Sequence, residues 1–179
     1  VANGYLGLRG NVEEGRDTHS HGTFVNGFHE TWPIRHAEEA YGLARVGQTI
    51  VNVPDPKTLK LYVDDEPLLL AVADLDEYER VLDFRDGILR RELVWRTSAG
   101  KRVRISSTRM TSVVERHLAV LTLEVEMLDG DASLVISSQV LNRQDGSDEY
   151  HVRKHAMGEG FDPRRADVFA HRVLEPVLH

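Results

Sequence analysis

Between residues 118 and 141 apolar and polar side chains alternate with a period of two, and nothing else in the chain restricts its fold as tightly. From Leu118 to Met127 one face reads Ala119, Leu121, Leu123, Val125 and Met127. The other reads Leu118, Val120, Thr122, Glu124 and Glu126. A strand with one buried face and one that turns polar belongs to an antiparallel sheet with a solvated side. Ser133 to Leu141 repeats the pattern, with Leu134, Ile136, Ser138 and Val140 set against Val135, Ser137 and Gln139. The Asp129-Gly130-Asp131 turn between the two runs predicts that they form a hairpin.

The same grammar holds upstream. Glu79 to Phe84, the turn Asp86-Gly87, Ile88 to Thr97, the turn Ser98 to Lys101, and Arg102 to Thr108 follow one another as strand and turn. Leu89, Leu93 and Trp95 share one face, and so do Val103 and Ile105. Leu59 to Val63 and Leu68 to Leu70 flank Asp64-Asp65-Glu66-Pro67, a third hairpin signal. Short strands at regular spacing predict an all-β antiparallel sandwich rather than βαβ units. At most one or two short helices are expected. Ile34 to Tyr41 is the candidate, opening after Pro33 with Arg35 and Glu39 spaced for an i,i+4 contact. Arg143 to Arg165 is rich in charge and Gly without apolar periodicity, which predicts a long loop or disordered excursion. At 179 residues the chain suits a single domain, 1–179.

Charge and composition narrow the function. Lys and Arg number 22 against 29 Asp and Glu, and a formal charge of -7 suits a phosphate backbone poorly, so no nucleic-acid partner is expected. The absence of Cys removes thiol catalysis and Cys-ligated zinc. No apolar run approaches the roughly 20 residues needed to cross a bilayer, and no signal segment opens the chain. The expectation is a soluble, cytoplasmic protein without membrane contact. The chain opens at Val1 inside a Gly-rich run and closes at His179 after an apolar stretch, so both ends read as cut and the sandwich as a truncated one.

Candidate chemistry is sparse. The glycines of Asn3 to Gly10 match neither a dinucleotide fingerprint nor a P-loop, and glycines in a bulged strand account for them better. His19, His21 and His29 lie close in sequence, as do His151 and His155. A metal site needs three or four converging ligands, and polar-loop histidines are the preferred explanation, so no metal is assigned. The carboxylates Glu13-Glu14, Glu38-Glu39, Asp64-Asp65, Asp74 and Asp76-Glu77 read mostly as solvated turns. Arg90-Arg91 with Arg102 and Arg104 reads as a solvated strand face paired with nearby Glu. Trp32 stands apart, with His29, Glu30 and Arg35 as neighbours. An aromatic ring beside planar hydrogen-bonding groups suits a sugar face, although a structural corner Trp has the same signature.

Several motifs in order carry a resemblance. Asn3-Gly4-Tyr5-Leu6-Gly7-Leu8-Arg9-Gly10, then Gly22 to Glu30, then Tyr41-Gly42, resemble the N-terminal domain of the family 65 glycoside hydrolases, which include maltose, trehalose and kojibiose phosphorylases. Leu82 to Arg91, Ser107-Thr108-Arg109 and Glu115-Arg116-His117-Leu118 continue it in the same order, to about Gln144. The resemblance implies a supersandwich similar to galactose-mutarotase-like domains, standing before an (α/α)6 barrel of the same parent chain that holds the general acid and the phosphate site. No catalytic residue carries over to this chain. No cofactor is implied, and inorganic phosphate is the co-substrate if the parent is a phosphorylase. The first expectation is therefore a non-catalytic sandwich of an enzyme acting on α-glucosides, inactive alone. The alternatives are a stand-alone carbohydrate-binding module using Trp32, Arg35, His29 and Glu30, and a metal-dependent β-enzyme using His19, His21 and His29. An unpaired sheet edge predicts self-association, with a homodimer as its simplest form.

Overall fold

The computed structural model describes residues 1–15, 21–38 and 40–141, and two short strands further on. Among the described residues twelve strands occur in chain order. They are β1 (Leu6–Leu8), β2 (Thr23–Pro33), β3 (Val46–Asn52), β4 (Asp55–Val63), β5 (Glu66–Pro67), β6 (Asp74–Asp83), β7 (Ile88–Arg96), β8 (Arg102–Thr111), β9 (Ala119–Met127), β10 (Leu134–Leu141), β11 (Val168–Phe169) and β12 (Arg172–Val173). All pairings among the described residues are antiparallel, as the alternating sequence predicts, and the described residues contain no helix.

The strands form three sheets. β6, β7, β8 and β9 make a four-stranded meander. β5, β4, β10 and β11 lie side by side, with β12 also on β10, and β1, β2 and β3 make the third. The core lies where the meander faces β4: Leu61, Val63 and Leu68 meet Leu93, Trp95, Val103 and Ile105, all buried. Leu93 and Trp95 are two apart on β7, as are Val103 and Ile105 on β8, so period two places each pair on the inner face. Full burial of such a side chain stabilises the fold by about 1.5–3 kcal/mol.

A hairpin forms at Asp64-Asp65 as predicted, but its second strand is Glu66–Pro67, which the sequence assigned to the turn, and Leu68 to Leu70 is not a strand. Both aspartates take positive φ, 46° and 66°, a conformation that Asp tolerates better than branched residues. The predicted hairpin of β9 with β10 does not form. β9 pairs with β8, and β10 pairs with β4 in the other sheet. Side chains explain why the turn crosses between sheets instead of folding back. Asp129 accepts two bonds from the Arg102 guanidinium on β8, at 2.7 and 2.9 Å. Four residues on, Ser133 exchanges hydrogen bonds with Asp64 beside β4, donating to the carboxylate and accepting from the backbone N–H, both at 2.9 Å. Lys101 bridges the two sides through Asp64 and the Asp131 carbonyl.

The predicted helix at Ile34 to Tyr41 is also corrected. Pro33 ends β2, and the described residues that follow form the connection to β3. The Ile34 N–H donates to the Arg45 carbonyl, and the His36 ring bonds the Ala44 carbonyl, so bonds across the loop hold its two ends together in place of a helical turn. Glu39, the predicted partner of Arg35, and the whole of Arg143 to Arg165 lie outside the described residues.

Candidate functional site

Beyond the apolar core the inner face of the meander turns cationic. Arg91 lies on β7 two residues before Leu93, and Arg109 lies on β8 four residues after Ile105, so the alternation that buries the leucine and isoleucine buries them as well. Arg80 on β6 stands directly opposite Arg91 in register. Like charges side by side in a sheet are destabilising unless something neutralises them. The segment after β1 does so. Arg91 grips Glu14 with both terminal nitrogens, at 2.8 and 2.7 Å, and lies 3.2 Å from Glu13 Oε2. Arg109 donates to the carbonyls of Arg9 and Asn11, at 2.7 and 3.0 Å, and to Glu13 Oε1 at 2.8 Å. Arg80 donates to the Gly10 carbonyl. Three arginines from three adjacent strands thus clasp residues 9 to 14.

The part of the clasp made by Arg91, Arg109, Glu13 and Glu14 is closed to solvent, and Arg80 is half-buried at its margin. Relative exposure is 1% for Arg109, 3% for Arg91, 4% for Glu13 and 8% for Glu14. Burial pushes the Arg109 guanidinium below its usual range, with Glu13 partly opposing the shift. Burial also works against Arg91, but the bidentate Glu14 and the nearby Glu13 outweigh it and the net shift is upward. Two carboxylates meet two fully buried guanidiniums, so the charge of the inner set closes on itself. Each of the four charged groups is engaged with another of the set, and none is open to solvent. The expectation that Glu13-Glu14 is a solvated turn is therefore wrong, as is the solvated placement of Arg91. Arg90, Arg102 and Arg104 do lie on the outer face, paired with Asp83 and Asp86, with Asp129, and with Glu92 and Glu126.

A second buried set joins β2 to β4. Lys57 donates to Asp55 at 2.5 Å and to the Thr23 hydroxyl at 2.6 Å, and that hydroxyl donates to Asp55 at 2.9 Å. Desolvation pulls the Lys57 ammonium below its ordinary value of 10.5, against the pull of Asp55. Between the lowered folded value and 10.5 the unfolded chain binds more protons, so stability rises with pH in that window and this gain is lost as pH falls through the folded value. The expected result is a urea midpoint with a positive alkaline slope that Lys57→Met/Asp55→Asn flattens. An unchanged slope in the double variant would assign the effect elsewhere.

Of the residues singled out for sugar, His29, Glu30 and Trp32 lie on β2, in the ribbon it forms with β3. His29 pairs with Ile50, Glu30 with Thr49 and Trp32 with Gly47. Strand alternation puts Glu30 and Trp32 on one face, both half-buried, and His29 on the other, exposed. Arg35 is exposed in the loop beyond the strand. The ribbon brings Glu30 and Trp32 together and parts them from His29. The indole covers Gly47, where a Cβ would come within 2.5 Å of the ring, so Gly at 47 is what allows the Trp to lie across the partner strand. Of the histidines proposed for metal, His21 is buried and bonded to the Val53 carbonyl, and His29 stands on the exposed ribbon. His19, His151 and His155 lie outside the described residues, and among those described no group of three metal-ligating side chains converges.

Fold and site together define an antiparallel β-sandwich whose buried charges clamp its own strands. The chain belongs to glycosyl hydrolase family 65: the model of that family's N-terminal domain matches residues 1–179. It is similar to a glycosyl hydrolase of Mycobacterium tuberculosis, 38% identical over 145 residues, covering 81% of this chain and 18% of the relative. It is also similar to the alpha,alpha-trehalose phosphorylase of Thermoanaerobacter brockii, 36% identical over 156 residues, covering 83% of this chain and 20% of the relative. A solved structure described as a kojibiose phosphorylase from the human microbiome shares the fold, with a TM-score of 0.66 at 23% identity, over 78% of this chain and 18% of that one. The chain spans about a fifth of the length of these curated relatives.

Proposed function

We propose that this domain is the non-catalytic N-terminal sandwich of a longer, cytoplasmic phosphorylase or hydrolase acting on α-glucosidic disaccharides, and that it buttresses a catalytic (α/α)6 barrel. The observation that carries the proposal is the clasp: the strongest constellation of charged side chains among the described residues is buried and engaged with the domain's own backbone and carboxylates. Bond cleavage with inversion needs a general acid on one face of a sugar and a nucleophile, phosphate or water, on the other. The clasp presents neither to solvent. The trehalose phosphorylase among the relatives is about five times the matched length, which leaves room for the chemistry elsewhere. No helix among the described residues is long and apolar enough to cross a membrane. Self-association through an open sheet edge belongs to the same proposal.

The test is turnover. The purified 179-residue chain, incubated with trehalose, maltose or kojibiose and inorganic phosphate, is expected to release no glucose 1-phosphate and no glucose, whereas the longer polypeptide does. Turnover by the chain alone would overturn the proposal. A stand-alone sugar-binding module would instead rest on the shared face of Glu30 and half-buried Trp32. Saturable quenching of Trp emission by millimolar disaccharide, lost in Trp32→Phe, is the result that would favour it.

A further inference from the structure

Two-stranded ribbons are marginal in water unless a third strand or a packed face supports them. β1 pairs with β2 only from Thr23 to Val25. The register of β2 with β3 slips between Phe24 and His29, where the chain turns through Gly27 at φ 95°, and from His29 to Pro33 no third strand among the described residues is paired with the two. One face of this pair is made by His29 with Ile50, Thr31 with Gln48 and Pro33 with Val46, and all six positions are exposed. On this face Ile50 is 47% exposed and Val46 60%. Tyr41 and Leu43 are exposed in the connecting loop. An element that needs support and carries a strip of open apolar side chains has the signature of an interaction surface.

We infer that the face of the ribbon carrying Pro33, Val46 and Ile50 is the surface on which the remainder of the longer polypeptide docks. This rests on the scaffold proposal above and adds the surface through which the scaffold acts. The occupant follows from length: the chain covers 18 to 20% of its curated relatives, so about four-fifths of such a polypeptide stands outside the sandwich and is tethered to it at high effective concentration. A second copy has no such tether. On the opposite face the Trp32 indole lies over Gly47 and both are half-buried, whereas Val46 and Ile50 are exposed.

Backbone hydrogen exchange across residues 28 to 50 tests the inference, measured in the 179-residue chain and in the longer polypeptide. Amides of the ribbon are expected to exchange about tenfold or more slowly in the longer polypeptide. Val46→Lys is expected to abolish that protection while leaving the urea midpoint of the 179-residue chain unchanged, because an exposed substitution costs little by itself. Should the longer Lys variant fail to fold, Val46→Ala read by the same exchange takes its place, and partial loss of protection is expected. Equal exchange rates in the two proteins would overturn the inference. So would protection in the short chain that grows with its concentration, which would assign the face to a second copy. Failure of the two proposals is separable. An inert short chain with an unprotected ribbon in the longer polypeptide sinks only the docking surface, whereas turnover by the short chain sinks the scaffold proposal whatever the ribbon does.

Discussion

Arg91→Met is expected to lower the stability of the domain by about 3–5 kcal/mol, read as a fall in the urea midpoint at constant slope. The substitution keeps the apolar stem but removes the fork that holds Glu14 at 2.7 and 2.8 Å and stands 3.2 Å from Glu13. Both carboxylates stay buried, and Glu14 loses the partner that made its burial tolerable. Arg91→Met/Glu14→Gln is expected to recover part of the loss, because the orphaned charge goes with its partner. Arg104→Met is the reference. Its guanidinium reaches Glu126 at 2.8 Å on the outer face with both side chains well exposed, and such pairs contribute about 0–1 kcal/mol. Similar costs for Arg91 and Arg104 would mean that the clasp is no more than a surface pairing. Arg91→Lys separates charge from geometry, since it keeps the cation and loses the bidentate grip, and an intermediate midpoint is expected.

The clasp also shows what was legible in the sequence and what was not. Strands could be read because burial writes itself into alternation: Leu93 and Trp95, and Val103 and Ile105, mark the inner face without help from any partner. The same arithmetic points Arg91 and Arg109 inward, yet their residue type argues for solvent. Only the arrival of residues 9 to 14, some 77 to 100 positions earlier in the chain, resolves the conflict. A local pattern carries no record of a partner so distant. Glu13 and Glu14 were hidden for the same reason. The β9–β10 turn failed differently. Asp129-Gly130-Asp131 specifies a reversal, but whether the next strand pairs back or crosses to the facing sheet depends on Arg102 and Asp64, which flank other strands. The helix expected after Pro33 lost to hairpin closure, in which Ile34 and Arg45 join across the loop. Trp32 was open to two readings because its key neighbour is Gly47, and a glycine that makes room for an indole looks like any other in one dimension.

Trp95→Ala is expected to cost about 3–5 kcal/mol, as large a loss as any single change in the core. Trp95 is 2% exposed and belongs to the cluster of Leu61, Val63, Leu93, Val103 and Ile105 where the two facing sheets meet. It sits between Leu75 on β6 and Val103 on β8 in register, so the hole left by the indole is walled by strands already fixed through their ladders and collapses only partly. The second Trp makes the outcome readable. The chain has two, and Trp32 lies half-buried on the ribbon, so Trp95→Ala leaves a single emitter whose spectrum is expected to shift to the red. Trp32→Ala is expected to cost about 1 kcal/mol or less, the scale of one cross-strand pair, and to leave a blue-shifted emission from Trp95. Equal costs for the two would contradict the division drawn here, in which the meander and β4 carry the stability of the domain and the ribbon stands outside that core. If the division holds, a change at the ribbon alters what the domain touches and leaves its fold standing, while a change at Trp95 removes both together. That asymmetry is what a scaffold with an exposed arm requires.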